Sequence, residues 1–125
     1  MVALGPERFD VVCTGKGALC YLPDLPRWAG VVAELLCPGG MLYLVEFHPL
    51  LNGPAVEGAT DSFEWMHGIG EVVTALSQAG LTVRRLRESD ELPWQRWPHL
   101  VRTPSGWWRL PEPRIPLLYG LLATR

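Results

Sequence analysis

Two apolar runs and the segment between them restrict this chain most. Phe9-Asp10-Val11-Val12-Cys13-Thr14 is short, apolar and rich in β-branched residues, and it ends at Gly15. Met41 to Phe47, with Leu42, Tyr43, Leu44 and Val45, is a second such run. Runs of this length and texture fit strands of a parallel sheet buried on both faces. Between them, Trp28, Val31, Val32, Leu35 and Leu36 recur at helical spacing and mark one apolar face. Asp24 offers an N-cap and Pro26 suits the first turn. Pro38-Gly39-Gly40 is expected to end that helix. Strand, helix, strand in this span is a βαβ unit with a right-handed crossover.

Downstream, residues 48–67 form a long connection containing Pro49, Gly53, Pro54 and Gly58. Connections of that length in compact domains usually carry function. Ile69, Val72, Val73 and Leu76 then repeat at helical spacing, with Gly80 at the C′ position. Leu81 to Leu86 reads as a third strand and Leu117 to Thr124 as a closing one. Between these lies a stretch dense in proline and tryptophan, including Trp94, Trp97, Trp107 and Trp108, with a short hairpin expected around Ser105-Gly106. Tryptophans this frequent bury too much area for a flexible linker.

The length of 125 residues suits one domain. A net charge of −2, with ten arginines and one lysine scattered along the chain, argues against a nucleic-acid partner, which needs a basic face. No apolar run reaches the length of a membrane span, and Glu7, Arg8 and Asp10 interrupt any signal-peptide reading of the N-terminus. Cys13, Cys20 and Cys37 are odd in number and lack CxxC spacing, so neither a disulfide framework nor a zinc site is indicated. Buried thiols in a reducing, cytoplasmic setting are the expectation.

The order strand, helix, strand, loop, helix, strand, loop, strand resembles the second half of a class I S-adenosylmethionine-dependent methyltransferase. FDVVCTGKGALCYLPDL resembles that family's fourth strand and following loop. AELLCPGGMLYLVEFHP resembles its next helix and fifth strand. HGIGEVVTALSQAGL resembles the following helix, and WWRLP with IPLLYGLLATR resembles the closing strand. The resemblance spans residues 8–125. It implies an α/β fold: a partial Rossmann-like sheet with equivalents of strands 4-5-7-6, the last strand antiparallel, and two or three helices. One partial domain is expected, with the βαβ unit at 8–47, a loop at 48–67 and the remainder at 68–125. The chain departs from the family in one large respect. The glycine-rich turn that approaches the cofactor and the acid that binds its ribose have no counterpart, and Gly15-Lys16-Gly17 has the wrong position and spacing to replace them.

The resemblance implies S-adenosylmethionine as cofactor and a small molecule as methyl acceptor. It places Thr14, Gly15 and Leu19 near the methionine end of the cofactor; a plain tight strand exit is the alternative for these three. Glu46 and His48 end the second strand two residues apart, hence on one face. A histidine beside a carboxylate suits a general base acting on an acceptor hydroxyl. The alternative is structural, with Glu46 capping a neighbouring segment and His48 bonding a backbone group. Trp65 and His67 are expected to border the substrate pocket, although core packing and helix capping explain them as well. The tryptophans could line an acceptor wall or form a satellite core. No residue set has metal spacing. The expectation is therefore a methyltransferase portion with little activity alone, whether from a truncated gene, a misassigned start or a split protein. The rivals are a non-catalytic module pairing with a second chain through its open sheet edge, and an unrelated α/β enzyme.

Overall fold

The computed structural model describes residues 7–15, 18–49 and 67–125. Strand β1 (Phe9–Thr14) runs parallel to β2 (Leu36–Phe47), pairing Val11 with Met41 and Thr14 with Leu44. Helix α1 (Leu25–Leu35) connects them. Its Asp24 carboxylate accepts from the Arg27 amide at 3.0 Å, satisfying one of the orphan donors of the first turn. Helix α2 (Ile69–Gln78) ends on Gly80, whose φ of +92° suits glycine. The Gly80 amide donates to Ser77 O and the Leu81 amide to Leu76 O, both at 3.0 Å, which is the Schellman pattern. Strand β3 (Thr82–Ser89) follows. A small sheet of β4 (Glu91–Leu92), β5 (Val101–Arg102) and β6 (Trp108–Arg109) comes next, and β7 (Leu118–Thr124) closes the fold. The main sheet has the order β1-β2-β7-β3, with β7 antiparallel to both neighbours. This is the expected partial methyltransferase-like sheet with its two helices.

The helix-to-strand change falls earlier than expected. Pro38-Gly39-Gly40 does not stand between helix and strand but bends the beginning of β2 itself. Gly39 has φ +83°. A Cβ on Gly40 would stand 2.9 Å from Cys37 O and 3.1 Å from both Asp10 O and Phe9 O, so only glycine lets β1 approach so closely. The bend is tied to the far end of the chain. The Arg125 amide donates to Gly40 O at 2.9 Å, and the Gly39 amide donates to Arg125 O at 3.1 Å. A turn-forming triplet can thus serve as a strand bend when a partner strand satisfies its backbone groups.

Helices α1 and α2 cover one face of the sheet. Leu25, Ala29 and Val32 of α1 and Val72, Ala75 and Leu76 of α2 meet Leu42, Leu44, Leu121 and Ala123 in the main core. Fully burying each leucine contributes on the order of 1.5–3 kcal/mol. On the other face, alternate residues are bare: Val11 is 51% exposed, Tyr43 50% and Met41 39%. This corrects the expectation that both strands are buried on both faces. Among the described residues, strand β1 pairs with β2 alone and no helix covers its outer face. The cysteines follow suit. Cys13 is exposed, and Cys20 and Cys37 are half-buried, so none of the three is the core thiol expected.

The proline- and tryptophan-rich stretch builds a satellite core. Leu92, Leu100, Leu117 and Leu118 are buried there against Phe47, Trp97, Trp108, Leu110 and Ile115. The expected hairpin is present: the Thr103 amide donates to Trp107 O at 2.7 Å, and Gly106 takes φ +88°.

Candidate functional site

Alternation along β2 carries Leu42, Leu44 and then Glu46 to the helix-covered face, so a carboxylate arrives at the C-terminal end of the core. Glu46 is 4% exposed. A buried carboxylate is costly unless hydrogen-bonded. Glu46 Oε1 accepts from the Ala18 amide at 3.2 Å and the Leu19 amide at 3.4 Å. It thereby anchors the single 3₁₀ turn Leu19–Tyr21 against the strand ends.

Register extends this row. Tyr119 on β7 lies opposite Glu46, and Glu88 on β3 lies opposite Tyr119. Burial, reinforced by the negative charge of Glu46, pushes the Tyr119 phenol well above the usual range, so it stays neutral. His48 follows β2 directly. Its Nε2 is 2.8 Å from Glu88 Oε2, its backbone amide donates to Leu117 O at 2.9 Å, and its ring stands edge-on to Tyr119 at 6.4 Å. The Glu88 carboxylate thereby fixes the orientation of the imidazole ring.

Thr14 and Gly15 sit at the C-terminal end of β1, beside this row. Thr14 Oγ1 is a buried oxygen with no hydrogen-bond partner among the described residues. Among the described residues, nothing lies within 4 Å of where a Gly15 Cβ would be. Open α/β sheets bind ligands outside the carboxyl ends of their strands, and these groups stand there.

The expected residues are therefore only partly gathered. Glu46 and Leu19 are in direct contact, with His48, Thr14 and Gly15 at the same strand ends. His67 is elsewhere, bonded through Nε2 to Leu22 O at 2.6 Å and 3.7 Å from Glu71. It borders a groove of about 470 Å³ between the start of α1 and α2, shared with Pro23, Pro26, Glu71 and Thr74. The helix cap itself is Gly68, whose amide donates to Glu71 at 3.3 Å. Trp65 lies outside the described residues. Sequence reading missed Glu88 and Tyr119. The signal available for Glu88 was an acid closing the basic run Arg84-Arg85-Leu86-Arg87, but pairing register decides which groups meet.

No family profile matches the chain, and no curated protein matches it in sequence. Solved structures do match. An S-adenosylmethionine-dependent methyltransferase from Mesorhizobium loti covers 96% of this chain with a TM-score of 0.69 at 20% identity. A SAM-dependent methyltransferase from Methanosarcina mazei covers 96% with 0.63 at 21% identity. Magnesium protoporphyrin IX methyltransferase from Synechocystis, solved with bound S-adenosylhomocysteine, covers 95% with 0.50 at 16% identity. The chain has the class I methyltransferase fold, and it spans 63%, 60% and 45% of those three chains.

Proposed function

We propose that this chain is the acceptor-side portion of an S-adenosylmethionine-dependent methyltransferase acting on a small molecule. The observation that carries the reading is the grouping of Thr14, Gly15 and the Glu46-anchored turn at the strand ends of a fold shared with named methyltransferases. These groups suit one end of the cofactor. The Thr14 hydroxyl, unpartnered among the described residues, and the Gly15 backbone match the polar amino-acid end, and Leu19 supplies an apolar neighbour. The nucleoside end requires a glycine-rich turn and a ribose-binding acid, which this sequence lacks. When bound, S-adenosylmethionine supplies an already activated methyl group on a sulfonium.

The chain's own residues then have modest tasks. Glu46 positions the loop that carries Leu19. Glu88 orients His48, whose imidazole takes the proton of an acceptor hydroxyl. Much of the rate comes from holding the acceptor in line. In an enzyme completed with a cofactor-binding half, His48→Ala lowers turnover by roughly 10²–10⁴-fold, the usual contribution of a general base. Unchanged turnover would make His48 structural. For the chain alone, titration calorimetry with S-adenosylmethionine gives binding weaker than micromolar, less favourable than about −8 kcal/mol. A tighter site would contradict the need for a further half.

A second reading is supported by the bare sheet face. Phe9 is 42% exposed and Val11 51% on the edge strand β1, which contains neither lysine nor proline, and Tyr43 on the neighbouring β2 is 50% exposed. On that reading the chain is a non-catalytic module that completes its sheet with a second polypeptide.

A further inference from the structure

Beside the row at Glu46 and His48 stands an arrangement that the reading above does not use. Phe47, the last residue of β2, has its ring edge-on to Trp94 at 5.8 Å and 72°. The Arg96 guanidinium carbon lies 4.5 Å from the centre of the Phe47 ring and 5.2 Å from that of Trp97. Trp97 in turn stacks on His99 at 6.1 Å and 24°. The loop carrying these groups is well tied. The Arg96 amide donates to Trp94 O at 3.0 Å, Gln95 Nε2 to Pro98 O at 3.2 Å, and the Leu100 amide to Trp97 O at 3.2 Å. Trp97 packs on the satellite core.

A guanidinium uses its flat faces against aromatic rings, whereas its N–H groups all lie in its plane and point outward. Stacking therefore fixes Arg96 without consuming its hydrogen bonds. Among the described residues, no carboxylate or carbonyl accepts from its guanidinium, although Arg114 and Arg109 nearby in sequence both find partners. A fixed, planar, unneutralised fork matches the two oxygens of a carboxylate or the oxygens of a phosphate. The surrounding rings suit a flat apolar scaffold attached to that group.

We propose that Arg96, held against Phe47 and Trp97, is a recognition fork for the oxyanion of a small planar acid. Calling that acid the methyl acceptor rests on the methyltransferase reading. Phe47 directly precedes His48, so the two stand at the same end of β2 with their side chains on opposite faces of the strand. The binding site itself stands without that reading.

The test uses the chain alone, with benzoate, phenyl phosphate and benzamide as probes and the indole N–H resonances of Trp94 and Trp97 as readout. Saturable shifts at millimolar concentration are expected with benzoate, phenyl phosphate or both, and none with the neutral amide. Benzoate alone assigns a carboxylate, and phenyl phosphate alone a phosphate. Arg96→Gln should weaken binding at least tenfold while leaving the thermal transition in place. Should that variant unfold, Arg96→Lys serves instead, because it keeps the charge and loses the fork; a clear fall in affinity is expected. Equal response to benzamide, no response to either anion, or unaltered affinity in the variant that folds would overturn the proposal. Anion binding in a chain that never binds S-adenosylmethionine would leave this site standing and remove only its assignment as the acceptor site.

Discussion

Removing the Glu46 carboxylate is the most informative single perturbation of the strand-end row. Glu46→Ala leaves the Ala18 and Leu19 amides without the acceptor they use at 3.2 and 3.4 Å. Hydrogen bonds to charged groups contribute about 1.5–3 kcal/mol each. These two are long, and deleting the charge also relieves its desolvation, so the expected net loss is about 2–3 kcal/mol. Glu46→Gln keeps one oxygen acceptor and should lose about 1 kcal/mol. For a domain of this size the alanine variant should melt roughly 6–12 °C lower. Urea denaturation gives the free energies, and native-state hydrogen exchange reads the two amides directly, with faster exchange expected at Ala18 and Leu19. The Tyr119 phenol should also titrate at lower pH in Glu46→Gln, because the lesser of the two causes of its upward shift is gone while burial remains. An alanine variant within about 0.5 kcal/mol of the parent, with unchanged exchange at both amides, would refute the anchoring role.

Three further outcomes follow from the fold. The chain should self-associate through its edge strand β1, and Val11→Lys should reduce this in light scattering with little loss of stability, because Val11 is 51% exposed; a monodisperse monomer, or scattering unchanged by the substitution, would count against association through that edge. Gly40→Ala should destabilise by about 1–3 kcal/mol, since its Cβ would meet three backbone oxygens that cannot rotate away; a neutral effect in urea denaturation would mean that β1 yields there at little cost. The Tyr119 phenol has a folded pKa above its unfolded value of about 10, so its contribution is complete below that pH and is lost as pH rises toward the folded value. Tyr119→Phe should therefore show a flatter stability profile above pH 10, and parallel profiles for the two proteins would count against a buried neutral phenol.

Much of the architecture was legible because it is local. Asp24, Gly80 and the 3.6-residue periodicity of both helices name their own elements. What depended on pairing was not legible. Pro38-Gly39-Gly40 looks like a helix stop but is a strand bend, because Arg125, 85 residues later, supplies its partners. The apolar texture of Phe9–Thr14 implies cover on both faces, whereas the strand carries cover on one. At the site, the two-residue spacing placed Glu46 and His48 on one face, but their roles were set by groups far away in sequence: the Ala18 and Leu19 amides for one, Glu88 for the other. The Arg96 stack was equally hidden, since Phe47 and Trp97 meet only after β2 and the satellite core have formed.

The central claim, that Thr14, Gly15 and Leu19 form the part of an S-adenosylmethionine site that this chain contributes, is tested most directly by amide shift mapping during titration with that cofactor. The predicted result is weak, saturable perturbation, in the millimolar range, concentrated at Thr14, Gly15 and Leu19 and reduced in Thr14→Val. Perturbation confined to other strand ends, or none at any of these three amides at saturating cofactor, would contradict the claim.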